Sequence, residues 1–144
     1  MKLRIPYLFL SSLCAFLVTC KQVETAQEGF DRWSFSWTGG TLFSEPQQVT
    51  IKQLHFDTGE LFGKDVILEG DVRERGEAGT HLVLTDSEGQ MLVVLTQIDD
   101  SHRVVDQRDV QSLRVLGRLE RGKKGLPYVL AKAITPSSLK PAAQ

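Results

Sequence analysis

The sequence lacks the residues that define several common protein classes. Both cysteines, Cys14 and Cys20, lie within the first 20 residues, so the rest of the chain can hold no disulfide or cysteine-based metal site. The chain has 17 lysine and arginine residues against 18 aspartate and glutamate residues, so it lacks the basic excess that would indicate nucleic-acid binding. The average charge and the 41% hydrophobic content exclude a collagen, a multi-span membrane protein and a wholly disordered chain. The 144 residues suffice for one modest domain with appendages.

The sequence also contains no nucleophile elbow and no glycine-rich phosphate loop. The groups suited to metal binding or acid–base chemistry are His55, His81, His102, Asp99 and Asp100. Their spacing is not diagnostic, because acidic residues at a helix start more often cap that helix and no second cluster completes a ligand set. We therefore predict neither an enzyme nor a cofactor or metal, and a hydrolase using His102 and Asp100 is the weakest alternative.

The amino terminus has the parts of an export signal. Lys2 and Arg4 precede an apolar run of 14 residues, Ile5 to Val18, and the polar Lys21 follows soon afterwards. The run is shorter than the roughly 20 apolar residues that a membrane-spanning helix needs. We therefore predict a cleaved signal peptide over residues 1–19, and an uncleaved anchor is the weaker interpretation.

The end of this signal, Leu17-Val18-Thr19-Cys20, resembles the lipoprotein box of bacterial lipoproteins. In that family the cysteine sulfur receives a diacylglyceryl group, and the cysteine becomes the new amino terminus. Thr19 departs from the usual Gly, Ala or Ser. The resemblance implies lipidation at Cys20, and Lys21 in place of Asp implies the periplasmic face of the outer membrane. A plain secretory signal is the alternative.

Residues 20–46 are predicted to form a tether that carries an aromatic cluster, Trp33, Phe35 and Trp37. Their alternation fits a strand, but Phe30, Trp33 and Trp37 also fit a helical stripe, so the periodicity leaves both open. The cluster could contact a membrane interface or a protein partner. The alternative is packing against the following domain as a lid.

The remaining chain is predicted as one domain over residues 47–135 and a flexible tail over residues 136–144. Five strands are predicted. Alternation of apolar and polar residues indicates Asp65–Arg73 and Leu113–Leu119, and β-rich runs indicate Thr80–Asp86, Gln90–Thr96 and Tyr128–Ile134. Gly70 suggests a bulge or a sharp bend in the first strand, and Asp86 to Gly89 suits a type I turn. Asp99-Asp100-Ser101 can cap a short helix before the fourth strand.

Three strands in a meander, a helical connection and two further strands form the order of the OB-fold. Val49–Leu54, Phe62–Val66 and Leu68–Val72 resemble the opening of small bacterial OB-fold domains, including exported ones, and Leu113–Arg118 matches their fourth strand. The resemblance covers about residues 47–135. It implies an all-β, five-stranded Greek-key barrel with a short helix between strands 3 and 4. It implies an exported binding module, and it carries over no catalytic residue.

OB-fold barrels commonly bind on the face of strands two and three, between the loops that follow strands one and four. Five cations border those loops, and we expect the fold to bring them to one end of the barrel: Arg73, Arg75, Arg121, Lys123 and Lys124. His81 is the one flat polar ring predicted on the face of strands two and three. These charges form either a site for an anionic ligand (nucleic acid, glycan or lipid headgroup) or a solvated loop surface. Nucleic acid is the less favoured ligand, because aromatic platforms are missing from the predicted strands two and three.

The sequence therefore predicts a membrane-anchored, non-enzymatic binding or adaptor lipoprotein of the cell envelope. Its expected partners are the membrane, through the lipid, and an envelope protein. A binder of an anionic ligand through basic rim loops is the alternative. The sequence gives no prediction of oligomeric state.

Overall fold

Seven strands and three short α-helices make up the part of the chain that the structure describes. This computed structural model describes residues 35–139, apart from the side chains of Val105, Ser138 and Leu139. The elements in chain order are β1 (Trp37–Thr38), β2 (Gln47–Gln48), α1 (Ile51–Phe56), α2 (Thr58–Leu61), β3 (Asp65–Arg75), β4 (His81–Thr85), β5 (Gln90–Val94), α3 (Ser101–Asp106), β6 (Val110–Arg121) and β7 (Pro127–Leu139). A turn of 3₁₀ helix, Glu77–Gly79, connects β3 to β4.

Five of the strands close into a barrel. β3 pairs with β4 and β6, β4 pairs with β5, and β7 pairs with both β5 and β6. The pairing of β5 with β7 is parallel, and the others are antiparallel. This is the predicted Greek-key order of the OB-fold, which the structure confirms. β1 and β2 lie outside the ring, where they pair with β7 and β3 respectively.

The barrel interior is filled by alternate residues of its strands. On β3 the buried Val66 and Leu68 point inward and Val72 packs against the same core, as the alternation predicted. The helix α1 adds Ile51 and Leu54 to this core. Its start is fixed by a capping box, in which Thr50 Oγ1 accepts from the Gln53 backbone amide and the Gln53 side chain accepts from the Thr50 amide.

The bulge predicted at Gly70 lies elsewhere. Gly70 sits in regular register opposite Leu113, whereas the register with β4 shifts between Val72 and Glu74 and leaves Arg73 as the bulged residue. Gly70 is explained instead by a close approach of β4, because a Cβ atom there would lie 3.0 Å from the Thr85 carbonyl oxygen.

The predicted helix between strands 3 and 4 is present as α3, but its start differs from the prediction. Asp100 occupies the N-cap position with φ of 53° and makes no capping hydrogen bond through its side chain. The left-handed backbone departs from the extended conformation that N-cap residues usually adopt, and the carboxylate instead pairs with Arg103, whose Nη1 is 3.7 Å from Asp100 Oδ2. The predicted turn at Asp86 is present, since its Oδ1 accepts from the amides of Glu88 (2.7 Å) and Gly89 (3.0 Å).

The last two strands are longer than predicted. β7 continues through Leu139 and pairs there with Val110, so it includes the first residues of the segment predicted as a flexible tail. Pro136 and the serines that follow lack apolar alternation, which is why the pattern did not show this extension. Within residues 35–139 no helix is long and apolar enough to cross a bilayer.

Candidate functional site

The outer surface of β4 and β5 is the face on which OB-fold barrels commonly bind. Val83 lies opposite Leu92 across these two strands, and Val94 lies beside Leu130 in the parallel pairing with β7. Leu92 is 41% exposed, and the other three side chains are half-buried. We call these four residues the aliphatic face.

His81 lies at one end of the aliphatic face, opposite Val94. Its ring packs against the β3–β4 connection, because a Cβ atom at Gly76 would lie only 2.3 Å from His81 Nδ1. The same nitrogen is 3.0 Å from Thr80 Oγ1. The predicted flat ring is therefore present on β4, but one side of it is occupied by the chain itself.

The five predicted cations do not meet at one end of the barrel, so that expectation was wrong. β3 runs antiparallel to β6, with Asp71 opposite Ser112 and Asp65 opposite Arg118. The end of β3 that carries Arg75 therefore lies at the beginning of β6, whereas Arg121 is its last residue. The two groups are separated by most of the length of β6.

Arg75 is engaged in holding the barrel together. Its Nη1 donates to the Val104 carbonyl at 3.1 Å and its Nη2 donates to the Val110 carbonyl at 2.5 Å. Burial and, secondarily, the neighbouring Arg108 guanidinium lower the pKa of Arg75, while Asp109 acts in the opposite direction. These contacts connect α3 and the start of β6 to β3, so Arg75 has a structural role in addition to any contact with a ligand.

A groove of about 530 Å³ separates the β3–β4 connection from α3. Arg73, Arg75, Arg108 and His102 line it, together with three carboxylates, those of Glu74, Glu77 and Asp106. Because three guanidinium groups face three carboxylates, the groove has mixed charge and does not favour a polyanion. Sequence reasoning missed Arg108, since it lies in the connection before the fourth strand and not in a rim loop, and only the fold brings it beside Arg75.

The connection between β6 and β7 carries the other three predicted cations. The hairpin is closed by hydrogen bonds from Gly122 N to Leu126 O (2.8 Å) and from Gly125 N to Gly122 O (3.0 Å). We call residues 122–126 the β6–β7 tip. Lys123 and Lys124 are exposed on it, and the Arg121 guanidinium lies 4.3 Å from the centroid of the Phe62 ring.

Residues 35–46 lie against the barrel, and we call them the docked segment. Trp37 forms β1 opposite Ile134 and packs against the main core. Phe35 packs on the opposite, outer surface, against a small cluster of buried residues: Ile67, Leu116 and Ala133. Both aromatic side chains are half-buried. Trp33 and Cys20 lie outside the described residues, so contact of the aromatic cluster with a membrane or partner and lipidation stay predictions.

A buried ion pair, Asp65 with Lys132, lies beneath the docked segment. Both side chains are essentially inaccessible, and Lys132 Nζ donates to Asp65 Oδ1 at 2.6 Å. The second carboxylate oxygen accepts from the amides of Phe43 (2.5 Å) and Ser44 (2.8 Å). The Ser44 hydroxyl in turn accepts from the Asp65 amide at 2.8 Å. Asp65 therefore connects the docked segment to β7 as well as to its own strand.

The environment of Lys132 explains why a charged group is tolerated there. Burial lowers the pKa of the Lys132 ammonium, while the hydrogen bond and charge of Asp65 act in the opposite direction. The ammonium also lies 4.3 Å from the centroid of the Phe43 ring. Lys132 has no partner of its own on β6, because the adjacent residues Leu116 and Gly117 pair with Ala133 and Ala131. It is therefore a bulged residue of β7. Sequence reasoning missed this pair, since its members are 67 residues apart and neither belongs to a motif.

The described residues contain no group of three or more His, Cys, Asp or Glu side chains that could hold a metal ion. His55 Nε2 lies 2.7 Å from the Gln90 carbonyl, which fixes α1 to β5. His102 lines the mixed-charge groove, and Asp99 and Asp100 are exposed. These residues are therefore dispersed over the barrel.

No protein-family model matches the sequence, and a search of curated proteins found no match. Among solved structures, the chain is similar to a protein assigned as an aspartyl-tRNA synthetase in Leishmania major Friedlin, with a TM-score of 0.54, 12% identity and alignment over 73% of this chain and 23% of that one. It is also similar to asparaginyl-tRNA synthetase from Pyrococcus horikoshii, with a TM-score of 0.52, 20% identity and coverage of 65% and 23%. The hypothetical protein ygiW from E. coli aligns with a TM-score of 0.46 and 18% identity, over 67% of this chain and 97% of that one.

These similarities concern the fold. The chain spans 23% of the length of each synthetase, and the identities are at most 20%. An OB-fold barrel serves many unrelated functions, so the shared architecture does not carry over an activity. The comparisons and the strand topology together show that β3 to β7 form an OB-fold barrel.

Proposed function

We propose that this protein is a non-enzymatic OB-fold adaptor, anchored to a bacterial envelope membrane by a lipid on Cys20, which binds a protein partner through the aliphatic face. The observation that carries the proposal is the exposed Leu92 beside Val83, Val94 and Leu130. These side chains occupy the strands on which OB-fold barrels bind, and apolar side chains form the centres of protein interfaces.

The composition of this face favours a protein over a single-stranded nucleic acid. Sequence-tolerant nucleic-acid binding combines a cationic groove with aromatic rings on which bases stack. All four residues of the aliphatic face are uncharged and non-aromatic. The neighbouring ring, Tyr128, lies close to the hairpin, since a Cβ atom at Gly122 would be 3.6 Å from its Cδ1.

Membrane anchoring rests on the signal and on the Leu17–Cys20 resemblance. Fourteen residues separate Cys20 from Phe35, where the docked segment begins. An extended chain advances about 3.4 Å per residue, so this connection could reach about 50 Å. The barrel would therefore stay near the membrane while its aliphatic face remained accessible to a partner.

Site-specific crosslinking tests the partner. A photoreactive residue at position 92 should crosslink the native chain to a discrete envelope protein, and Leu92→Glu should abolish co-purification of that protein. Gln48→Glu adds the same charge on β2, an exposed strand that pairs with β3, and should have no effect. Circular dichroism checks that both variants fold. Unchanged capture by Leu92→Glu, or equal loss in both variants, would overturn the proposed face.

Labelling tests the anchor independently. Cells supplied with labelled palmitate should incorporate the label into the wild-type chain and not into Cys20→Ala. A Cys20→Ala chain that remains with membranes at high salt and a wild-type chain that carries no label would each contradict a lipid on Cys20.

A further inference from the structure

Exposed apolar side chains concentrate at one end of the barrel. The exposed large hydrophobic residues in the described part of the chain are Phe43, Phe56, Leu92 and Leu126. β5 and β7 run parallel with Val93 opposite Val129. Leu126 immediately precedes β7, so it lies toward the same end of the barrel as the beginning of β5. Leu92 follows Gln90 on the same outer surface of β5.

Phe56 comes to the same end through the helix α1. His55 binds the Gln90 carbonyl with Nε2 at 2.7 Å, so the last turn of α1 lies at the beginning of β5. Phe56 follows it and is 78% exposed, and Leu126 is 68% exposed. Two large, strongly exposed apolar side chains therefore lie toward this end of the barrel, Phe56 at a helix end and Leu126 on the β6–β7 tip.

Cations surround these two side chains. Lys123 and Lys124 precede Leu126 on the β6–β7 tip, and Arg121 ends the strand before it. Lys64 lies at the same end, because its carbonyl accepts from the Leu119 amide at 3.1 Å. None of these four groups forms an ion pair with another residue between positions 35 and 139.

The carboxylates at this end are fewer. Asp57 and Glu60 lie on the corner between α1 and α2, and Glu88 is paired with Lys52 at 3.2 Å. Asp86, in the same turn as Glu88, accepts only from backbone amides. Four cations therefore face three carboxylates that have no cationic partner among residues 35–139. This end of the barrel keeps a positive excess, in contrast to the mixed-charge groove beside α3.

We infer that the β6–β7 tip and Phe56 form a second membrane contact, which binds the surface of a bilayer containing anionic phospholipid. Leu126 and Phe56 enter the boundary between headgroups and acyl chains, and the ammonium groups of Lys123 and Lys124 lie among the phosphates. The inference rests on the proposed lipid anchor, which would hold the barrel at that surface, and it adds the orientation that the barrel adopts there.

The geometry of the chain allows both contacts on one membrane. The docked segment leaves the barrel near Ile134, because Ser36 N donates to the Ile134 carbonyl at 3.0 Å. The β6–β7 tip lies at the other end of β7, about seven residues and roughly 25 Å away. The connection from Cys20 to Phe35 could reach about 50 Å, so it is long enough for the tip to face the same bilayer.

The side chains favour a lipid surface over a polynucleotide. Base stacking needs an accessible aromatic face, and the Phe62 ring is covered by the Arg121 guanidinium. Of the two strongly exposed rings in the described part of the chain, Phe43 lies against the Arg118 guanidinium at 4.7 Å, so Phe56 is the ring without a cation over it. Leu126 follows Lys123 and Lys124 closely in the sequence. At an anionic membrane surface the leucine can contact the acyl chains while the two ammonium groups contact the phosphates above them.

Vesicle flotation tests the inference on the full-length Cys20→Ala chain, which lacks the lipid. The probes are phosphatidylcholine vesicles with and without phosphatidylglycerol, so that any binding by the apolar amino terminus is common to both. We expect phosphatidylglycerol to strengthen binding about tenfold or more, and salt to reverse this gain. Lys123→Glu with Lys124→Glu should remove the gain, and Leu126→Ser should weaken binding to anionic vesicles.

The matched control is Arg73→Glu with Arg108→Glu, which makes the same charge change beside the groove at the other end of the barrel. It should retain the gain from phosphatidylglycerol. Equal binding by the tip variant and the control would overturn the inference. Preferential binding of a single-stranded oligonucleotide over the vesicles, lost in the tip variant, would assign the tip to nucleic acid instead. Palmitate labelling reads out the anchor separately, so either proposal can fail without the other.

Discussion

Ile67, Leu116 and Ala133 lie beneath the docked segment on one side of the barrel, whereas Val83 and Leu92 face outward from β4 and β5 on another. We call these the covered side and the open side. On the covered side the chain supplies its own lid, and the polar groups trapped under it are paired, above all Asp65 with Lys132. On the open side the apolar side chains remain accessible.

The difference shows that the described part of the chain covers one apolar outer surface and leaves another exposed. The docked segment packs on β3, β6 and β7 through Ile67, Leu116 and Ala133, whereas Leu92 on β5 stays 41% exposed. The covered side should therefore carry stability, and the open side should carry binding. The following substitutions test that division, beginning with the largest expected loss.

Asp65→Ala should cause the largest loss of stability, about 3–5 kcal/mol, because it leaves the Lys132 ammonium buried without its counter-charge and removes the acceptor of two amides. Urea unfolding followed by circular dichroism measures the change. Asp71→Ala is the control, since Asp71 is exposed and accepts from the Ser112 hydroxyl, and it should cost less than about 1 kcal/mol. Similar losses for the two variants would show that the covered side has no special role.

Ile67→Ala should cost on the order of 2–3 kcal/mol, since it opens a cavity between the barrel and Phe35. We expect a value at the low end for a core isoleucine, because the docked segment can partly close over the cavity. Urea unfolding measures the loss of stability. Circular dichroism is the probe, because phenylalanine fluorescence from Phe35 is too weak to be useful. A cost below about 0.5 kcal/mol would indicate that the segment does not pack on Ile67 in solution.

Gly39→Ala should cost about 1–3 kcal/mol, because a Cβ atom at position 39 would lie 1.7 Å from the Gln97 carbonyl oxygen and β1 would have to move. It should also weaken the hydrogen bond from Gly39 N to the Lys132 carbonyl, now 2.7 Å. Thermal unfolding measures the change. Gly59→Ala is the opposite case, since α2 leaves that position open, and it should raise stability by about 0.5–1 kcal/mol. A stabilising Gly39→Ala would contradict the docking of β1.

Leu92→Ser should have the smallest effect on folding, less than about 1 kcal/mol, because the side chain is already 41% exposed. The same substitution should nevertheless abolish capture of the crosslinked partner. Urea unfolding and co-purification together measure the two effects. A large loss of stability would mean that the open side contributes to the core, and the proposed division would then fail.

The five ring strands could be predicted because each is a β-rich run, and the first and fourth also show a period of two. On β3, for example, Val66, Leu68 and Val72 lie at even spacings and pack in the main core, whereas Ile67 between them packs with Phe35 on the outer surface. β1 and β2 are each two residues long and show no period, so pattern reasoning could not find them. Their pairing depends on strands that lie far away in the sequence.

The site could be predicted only in part, for a similar reason. Residue type indicated that Arg75 and Arg121 border the two rim loops, but their separation depends on the antiparallel register of β3 with β6. The Asp65–Lys132 pair likewise required the bulged residue of β7 and the position of the docked segment. Properties that depend on register and on non-local packing are not encoded in a single stretch of sequence.

The pairing of β1 with β7 also constrains how the molecule can be made. Trp37 lies opposite Ile134, so the first and last described strands are hydrogen-bonded to each other across nearly the whole domain sequence. No amino-terminal fragment that lacks β7 can form this pairing. Closure must wait until the carboxyl-terminal strand has been synthesised, which makes folding slow compared with a helical protein of equal length.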